Sequence, residues 1–424
     1  MKAAHQPIQR PPGARLLMVG EQGDLQPMTR SSLARNFSAG DLLVANDAAT
    51  LPASLHGIHE ASGEAIEIRL AGRPSLAPSD IHQFTAVAFG AGDYRVQTED
   101  RPVPPTLGPG DLLRFGDLLR KNLPQRRRGQ GELQARVIRQ LEHPRLIEID
   151  FLGHPDFVWS EMARQGRPIQ YAHLRQPLQL WNVWTRIAGR PVAFEPPSAG
   201  FLLDWKLLSE LQVRGVGFAT LTLAAGLSST GEAELDARLP FDEAYHLPKA
   251  TVRAIQRTRQ RGGRVIALGT TVVRALEDAA DSSGNLRPGN GVATHRIGPH
   301  RELQIVDALI SGTHEPGESH YELLRAFTTE EVLHHMSSAL EIKGYRSHEF
   351  GDSIWVEKWV GKVEKNETPG RAGENSTNRQ QTAPQQTTLR RPPRPRQNGR
   401  IRDAVAARLR LVTEGFVPGL SSPR

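Results

Sequence analysis

The stretch Arg264-Val-Ile-Ala-Leu-Gly-Thr-Thr-Val-Val-Arg-Ala-Leu-Glu277 reads as a buried strand, a tight turn and a helix. Val265 to Leu268 is a short apolar run that follows the turn signal Gly262-Gly263. Gly269 lets the backbone turn closely, and Thr270 or Thr271 is placed to cap the helix through an orphan N–H. Open N–H groups, two hydroxyls and the helix dipole then meet at the carboxyl end of a strand, where α/β proteins bind ligands. Arg274 and Glu277 are three apart and can share a helix face. The same residues also fit a plain strand-to-helix connection with a good cap and an exposed ion pair, so the surroundings decide between the two.

Outward from this stretch the chain alternates strands and helices. Leu203, Leu207, Leu208 and Leu211 have helical spacing up to Gly215, and Val216 to Leu223 follows as a strand. Pro248 opens a helix that runs to Arg261. Leu303 to Ile310 is a further strand, Thr328 with Glu331 forms a capping box, and Ile354 to Val360 is a last strand. Such alternation predicts a parallel sheet or barrel. Before it, Gly40-Asp41-Leu42-Leu43-Val44-Ala45-Asn46-Asp47 reads as a strand ending in a polar turn. Asn46 and Asp47 there fit either an Asx turn or a ligand contact.

Between these parts the pattern changes. Ile66, Ile68 and Leu70 alternate with Glu67 and Arg69, and Phe84 to Phe89 and Tyr94 to Thr98 flank the hairpin signal Gly90-Ala91-Gly92-Asp93. Leu112 to Phe115, Ala135 to Leu141 and Leu146 to Phe151 follow. Residues 64–152 are therefore expected to form a small inserted antiparallel β-barrel, and 1–63 with 153–363 one discontinuous α/β barrel-like domain. Residues 153–200 are rich in proline and aromatics such as Trp159, Tyr171, Trp181 and Trp184, which suit base stacking beside Arg164, Arg167 and Arg175 or the anchoring of an irregular segment.

The chain has 424 residues and no cysteine, which removes disulfides, thiolate metal sites and cysteine nucleophiles. No apolar run approaches the roughly 20 residues of a membrane span, and Met1 to Leu17 has no signal-peptide core, so a cytoplasmic protein is expected. From residue 364 onward 12 Lys and Arg stand against 5 Asp and Glu, so this tail carries the whole net charge of +7. Residues 1–363 hold 41 charges of each sign, and net charge gives no argument that they bind nucleic acid. The tail, rich in Gln, Thr, Pro and Arg, has the composition of a disordered segment, with a short basic helix conceivable at Arg402 to Leu411. Arg126-Arg127-Arg128 is read as a solvated charge run or a phosphate contact.

Several stretches, in order, resemble one family: the S-adenosylmethionine:tRNA ribosyltransferase-isomerases of queuosine biosynthesis. They are Gly40 to Asp47 with Leu51-Pro52-Ala53-Ser54-Leu55-His56-Gly57, then Pro197-Ser198-Ala199-Gly200, then Gly269 to Glu277, then His314-Glu315-Pro316, then Tyr345-Arg346 with Gly351-Asp352. The resemblance spans roughly residues 30–360. It implies that the ribosyl part of S-adenosylmethionine moves to 7-aminomethyl-7-deazaguanine in a tRNA anticodon and is isomerised to an epoxycyclopentanediol, while adenine and methionine leave. It implies S-adenosylmethionine as substrate, tRNA as partner, no cofactor and no metal, and a large α/β domain with an inserted barrel; a monomer is expected.

Three family histidines are missing. Where the family has Leu-His-Phe-Thr this chain has Phe201-Leu202-Leu203-Asp204; where it has His-Val-Gly-x-Gly-Thr-Phe, Leu223 to Ser229; where it has Met-His-x-Glu, Pro240-Phe241-Asp242-Glu243. The reaction needs a base for a proton activated by the sulfonium and an acid for the departing adenine. His314, Glu243 and Asp352 are the candidate catalytic groups, and imidazoles titrate near neutrality. Asn46, Asp47, Ala199, Gly200, Gly269, Thr270, Thr271, Arg274, Pro316 and Gly351 are the candidate substrate contacts. Two other readings stay open: a related transferase with another acceptor, and a binding protein on the same scaffold.

Overall fold

A computed structural model describes residues 1–116 and 132–359. The Arg126-Arg127-Arg128 run and everything expected of the tail beyond Trp359 lie outside the described residues. Met1–Glu364 forms one compact unit.

Its backbone is a nine-stranded mixed sheet and a closed six-stranded antiparallel barrel. Across the sheet the strands run Gly289–Ala293, Glu243–Leu247, Gly217–Leu223, Leu42–Asn46, Val265–Leu268, Ala308–Gly312, Ser353–Glu357, Arg15–Val19 and Leu25–Thr29. Gly217–Leu223, Leu42–Asn46, Val265–Leu268 and Ala308–Gly312 are mutually parallel. They are covered on both faces, which is why they read as continuous apolar runs. Val44, Ala267 and Leu309 point into one core, shared with the helices Lys249–Gln260, Thr270–Ala279 and Glu330–Ile342. Leu43, Ala45, Ile266, Leu268 and Ile310 point into the other, under the helix Trp205–Val213.

The barrel is formed by Ser54–His59, Ala65–Gly72, Gln83–Phe89, Leu112–Phe115, Leu133–Gln140 and Leu146–Phe151. It starts at Ser54 rather than at residue 64, because Ser54–His59 pairs with both Ala65–Gly72 and Leu112–Phe115. His56 and Gly57 hide its alternation in the sequence. Tyr94 to Thr98 is no strand; it lies in a turn leading to the short 3-10 helix Thr98–Asp100. The sheet takes strands from both sides of the barrel in sequence, and the apolar interior of the barrel is continuous with one face of the sheet.

Strand direction determines where the functional stretches fall. The four parallel strands end at one edge of the sheet, at Asn46, Leu223, Leu268 and Gly312. Glu243–Leu247 and Ser353–Glu357 run antiparallel to the flanking members of this parallel set, so Glu243, Gly351 and Asp352 begin at that same edge. Segments far apart in sequence thus deliver their polar residues to one rim.

Candidate active site at the sheet rim

Gly269 adopts φ +102° at the end of its strand, a conformation that favours glycine. The helix Thr270–Ala279 begins directly after it, and no side chain caps it. Neither threonine serves as the cap. Thr271 Oγ1 instead accepts a hydrogen bond from Asn46 Nδ2 at 3.3 Å. The expected exposed ion pair between Arg274 and Glu277 is also absent, since both residues are buried inside the fold. Glu277 accepts from the Gln304, Ile305 and Val306 amides at 2.8–3.0 Å. Arg274 pairs with Glu243 and donates to the Ala293 carbonyl at 2.9 Å. Glu243 also accepts from the Gly226 amide at 2.7 Å. Burial raises the Glu243 carboxyl above its ordinary range against the pull of Arg274.

Glu243, Thr270, Thr271 and Arg274 line a cavity of about 160 Å³ together with Asp236 and His320. His320 stacks on His314 with ring centres 4.6 Å apart, which brings His314 to this neighbourhood. His314 Nε2 lies 3.2 Å from Ser311 Oγ, and its Nδ1 lies 3.5 Å from Glu318. Burial and the neighbouring His314 lower His320 to about 3, so it is a neutral imidazole at physiological pH. Burial works to raise Glu318, yet His314 and the Glu315 amide hold it below its ordinary value.

Other expected site residues hold the rim together. Asn46 is buried, donates to the Leu223 carbonyl at 3.0 Å and accepts from the Ala48 and Leu223 amides. Asp47 accepts from Thr220 and Thr222 at 2.7 and 2.6 Å. Asp352, expected among the catalytic groups, is tied to Arg15 at 2.9 Å and to the Arg15 and Arg346 amides. A Cβ on Gly351 would sit 2.3 Å from the Arg346 carbonyl, so a close backbone turn requires this glycine. Ala199 and Gly200 form a buried 3-10 turn against Thr185 and Gly269. Pro316 is exposed, while its neighbour Gly317 lines the cavity.

A second group beside this rim was not read from the sequence. His173 donates to Glu349 at 3.2 Å and stacks on His348 at 4.4 Å. Tyr171 stacks on His173 and its hydroxyl bonds Glu195. His348 has φ +68°, the only positive value for a residue other than glycine among the described residues. Burial opposes ionisation of Glu349, but His173 and His348 keep its carboxyl below the ordinary range. The donor atoms of His173, His348 and Glu349 lie within 4.8 Å of one another. The two imidazole planes are nearly parallel, at 18°, so their lone pairs do not converge on one point, and we assign no ion to them. Only tertiary contact joins residues 171–173, 195, 314–320 and 348–349, and isolated histidines and glutamates carry no spacing signal of it.

The fold and rim define an S-adenosylmethionine-handling class only together with what the chain is similar to. A family described as queuosine biosynthesis protein matches residues 1–356. The chain belongs to that family. It is 32% identical to the S-adenosylmethionine:tRNA ribosyltransferase-isomerase of Pelobacter propionicus over 366 residues, covering 84% of this chain and 96% of the relative. The protein of that name from Citrifermentans bemidjiense is 31% identical, covering 83% and 95%. A solved S-adenosylmethionine tRNA ribosyltransferase from Thermotoga maritima is 21% identical, with TM-score 0.42 over 83% of this chain and 95% of that one. Leu202, where the family resemblance would place a histidine, is only 1% exposed and packs in the core.

Proposed function

We propose that this protein transfers and isomerises the ribosyl part of S-adenosylmethionine onto 7-aminomethyl-7-deazaguanine in tRNA, with release of adenine and methionine. Family membership supports the reaction class. The observation that carries it at the level of residues is the meeting of the His314–His320 stack with the cavity lined by Thr270, Thr271, Glu243 and Arg274.

In this reading His314 is the base that removes the proton acidified by the sulfonium. Ser311 and Glu318 orient its two nitrogens. Neutral His320 packs against it and does not compete for the proton at neutral pH. Thr270 and Thr271, at the positive end of the helix Thr270–Ala279, hold the methionine carboxylate. The Glu243–Arg274 pair forms a fixed polar wall rather than a mobile clamp, since both partners are already hydrogen-bonded to the protein. Asn46, Asp47, Gly200, Gly269 and Gly351 shape the backbone around the ligand, and Asp352 positions the loop that carries His348 and Glu349. S-adenosylmethionine enters as substrate and no cofactor is required. We place the protein in the cytoplasm with its tRNA and expect a monomer. Among the described residues no helix is long and apolar enough to cross a membrane.

The test is adenine release from S-adenosylmethionine, followed by mass spectrometry, with tRNA that carries or lacks 7-aminomethyl-7-deazaguanine. Release only with the modified tRNA, and a mass gain on its base, supports the reading. Release without that tRNA directs attention to a related transferase with another acceptor, a reading favoured by Leu202 at a position where the family has histidine. Binding without any release would make the chain a non-catalytic member.

A further inference from the structure

Glu195 is a carboxyl group with only 7% of its surface exposed, at the mouth of the turn Pro196-Pro197-Ser198-Ala199-Gly200. The Tyr171 hydroxyl touches it, and the same hydroxyl lies 3.0 Å from the Ser229 carbonyl. A phenol has one proton, while these are two acceptors if Glu195 is ionised. The hydroxyl is aimed at both; with Glu195 protonated, Tyr171 donates to Ser229 alone and takes the Glu195 proton on its oxygen in place of donating to that carboxyl. The groups facing Glu195 agree with a neutral acid there. Burial first, and then the second carboxylate Glu349 acting through space, push it up to about 7. The Tyr171 contact and the hydrogen bonds from Ser228 act in the opposite sense. Arg69 is close, but its guanidinium is bonded to Glu67 at 2.8 Å. The two carboxyls are thus pushed apart, Glu195 up and Glu349 down. Neighbouring carboxyls divided in this way are a recurring device for an acid and an anion working on one bond.

We propose that Tyr171, Glu195 and Glu349 form a second catalytic cluster, in which Glu195 supplies, through Tyr171, the proton taken up by a departing purine. Glu349 remains ionised and faces the positive charge that develops on the sugar. This rests on the reaction proposed above. As the bond between sugar carbon and purine nitrogen breaks, its electron pair goes to the purine. The Tyr171 proton goes to a ring nitrogen, and the Glu195 proton replaces it on the phenol oxygen. Glu195 ends as a carboxylate and recovers its proton from solvent after release. Tyr171, Ser228, Ser229, His173 and Glu349 are all part-exposed around the buried Glu195, and the relay takes the Tyr171 hydroxyl as its end toward the ligand.

Two measurements on the full chain test this. Difference infrared spectroscopy of the wild type against Glu195→Gln should show a protonated-carboxyl band at pH 6 that fades as pH rises through about 7. Glutamine retains a donor toward Tyr171, so the variant should fold normally. With the modified tRNA, Glu195→Gln and Tyr171→Phe should each lower kcat for adenine release at least a hundredfold with KM changed less than threefold. Glu195→Gln should also remove the basic limb of the pH–rate profile. Absence of the band at pH 6 overturns the inference while leaving the reaction intact. So does full turnover by Glu195→Gln. No adenine from the wild type, with the band present, overturns the reaction and this role with it.

Discussion

At the scale of single residues, the Arg274–Glu243 pair is the point of greatest electrostatic risk. Both partners are almost wholly enclosed, and Arg274 Nε has no partner of its own. Removing one member leaves the other charge stranded, which costs about 3–5 kcal/mol. Arg274→Ala should therefore lower unfolding free energy by that amount in a urea titration, and Glu243→Gln by less, because a glutamine still serves the Gly226 amide. Glu195 gives a pH signature. Its folded-state carboxyl titrates at about 7, above the ordinary value of 4.5. Between those limits the folded chain binds more protons than the unfolded one, so this group's contribution is full at acid pH and is lost as pH rises toward 7. Stability should fall by up to about 1.4 kcal/mol per pH unit across the window. In Glu195→Gln that slope should disappear; an unchanged slope in thermal or urea unfolding would show that Glu195 ionises normally. For His314→Ala, turnover should drop at least tenfold, about 1.4 kcal/mol of barrier, and retained activity in the folded variant would remove His314 as the base.

At the scale of elements, the strand-turn-helix at Val265 to Glu277 was legible because one apolar run, one glycine and one amphipathic segment follow in order. Its polar contacts were not. Arg274 and Glu277 look like surface residues by spacing, and only the packing of strand Gly289–Ala293 and the 302–306 segment around the helix buries them. The strands Leu42–Asn46 and Gly217–Leu223 were equally plain, whereas Leu303 to Ile310 read as a strand and only Ala308–Gly312 is one. The candidate site divides in the same way. Motif order pointed to Glu243, Thr270, Thr271 and His314, which share one neighbourhood, while His320, Tyr171, Glu195, His348 and Glu349 come together through the tertiary fold alone. The turn at Gly269 makes a prediction at this scale. Its φ of +102° penalises any side chain, and a Cβ there would meet Ala199 at 3.4 Å. Gly269→Ala should cost about 1–3 kcal/mol in urea unfolding and lower turnover by shifting the start of the helix; a neutral outcome would mean that the rim tolerates a different backbone path.

At the scale of the whole molecule, the formal positive charge is concentrated after residue 363 and the remainder is balanced. Deleting residues 364–424 should leave the unfolding transition and adenine release within about twofold, while reducing the salt dependence of tRNA affinity, which scales with the number of phosphates neutralised. A truncated chain that unfolds would show that the compact unit needs its extension. The placement of Leu42–Asn46 at the middle of the sheet has a further consequence during synthesis. This strand leaves the ribosome before the barrel, yet its neighbours Gly217–Leu223 and Val265–Leu268 are made some 170 residues or more later. At ~5–20 residues per second it waits on the order of ten seconds or longer for a partner. Throughout that interval Leu42, Leu43, Val44 and Ala45, all buried in the finished protein, form an unpaired apolar edge on the nascent chain. The barrel encoded next shares its apolar interior with the sheet, so the growing polypeptide carries a sticky, unfinished seam, which makes it a natural client for chaperones that bind at the ribosome exit.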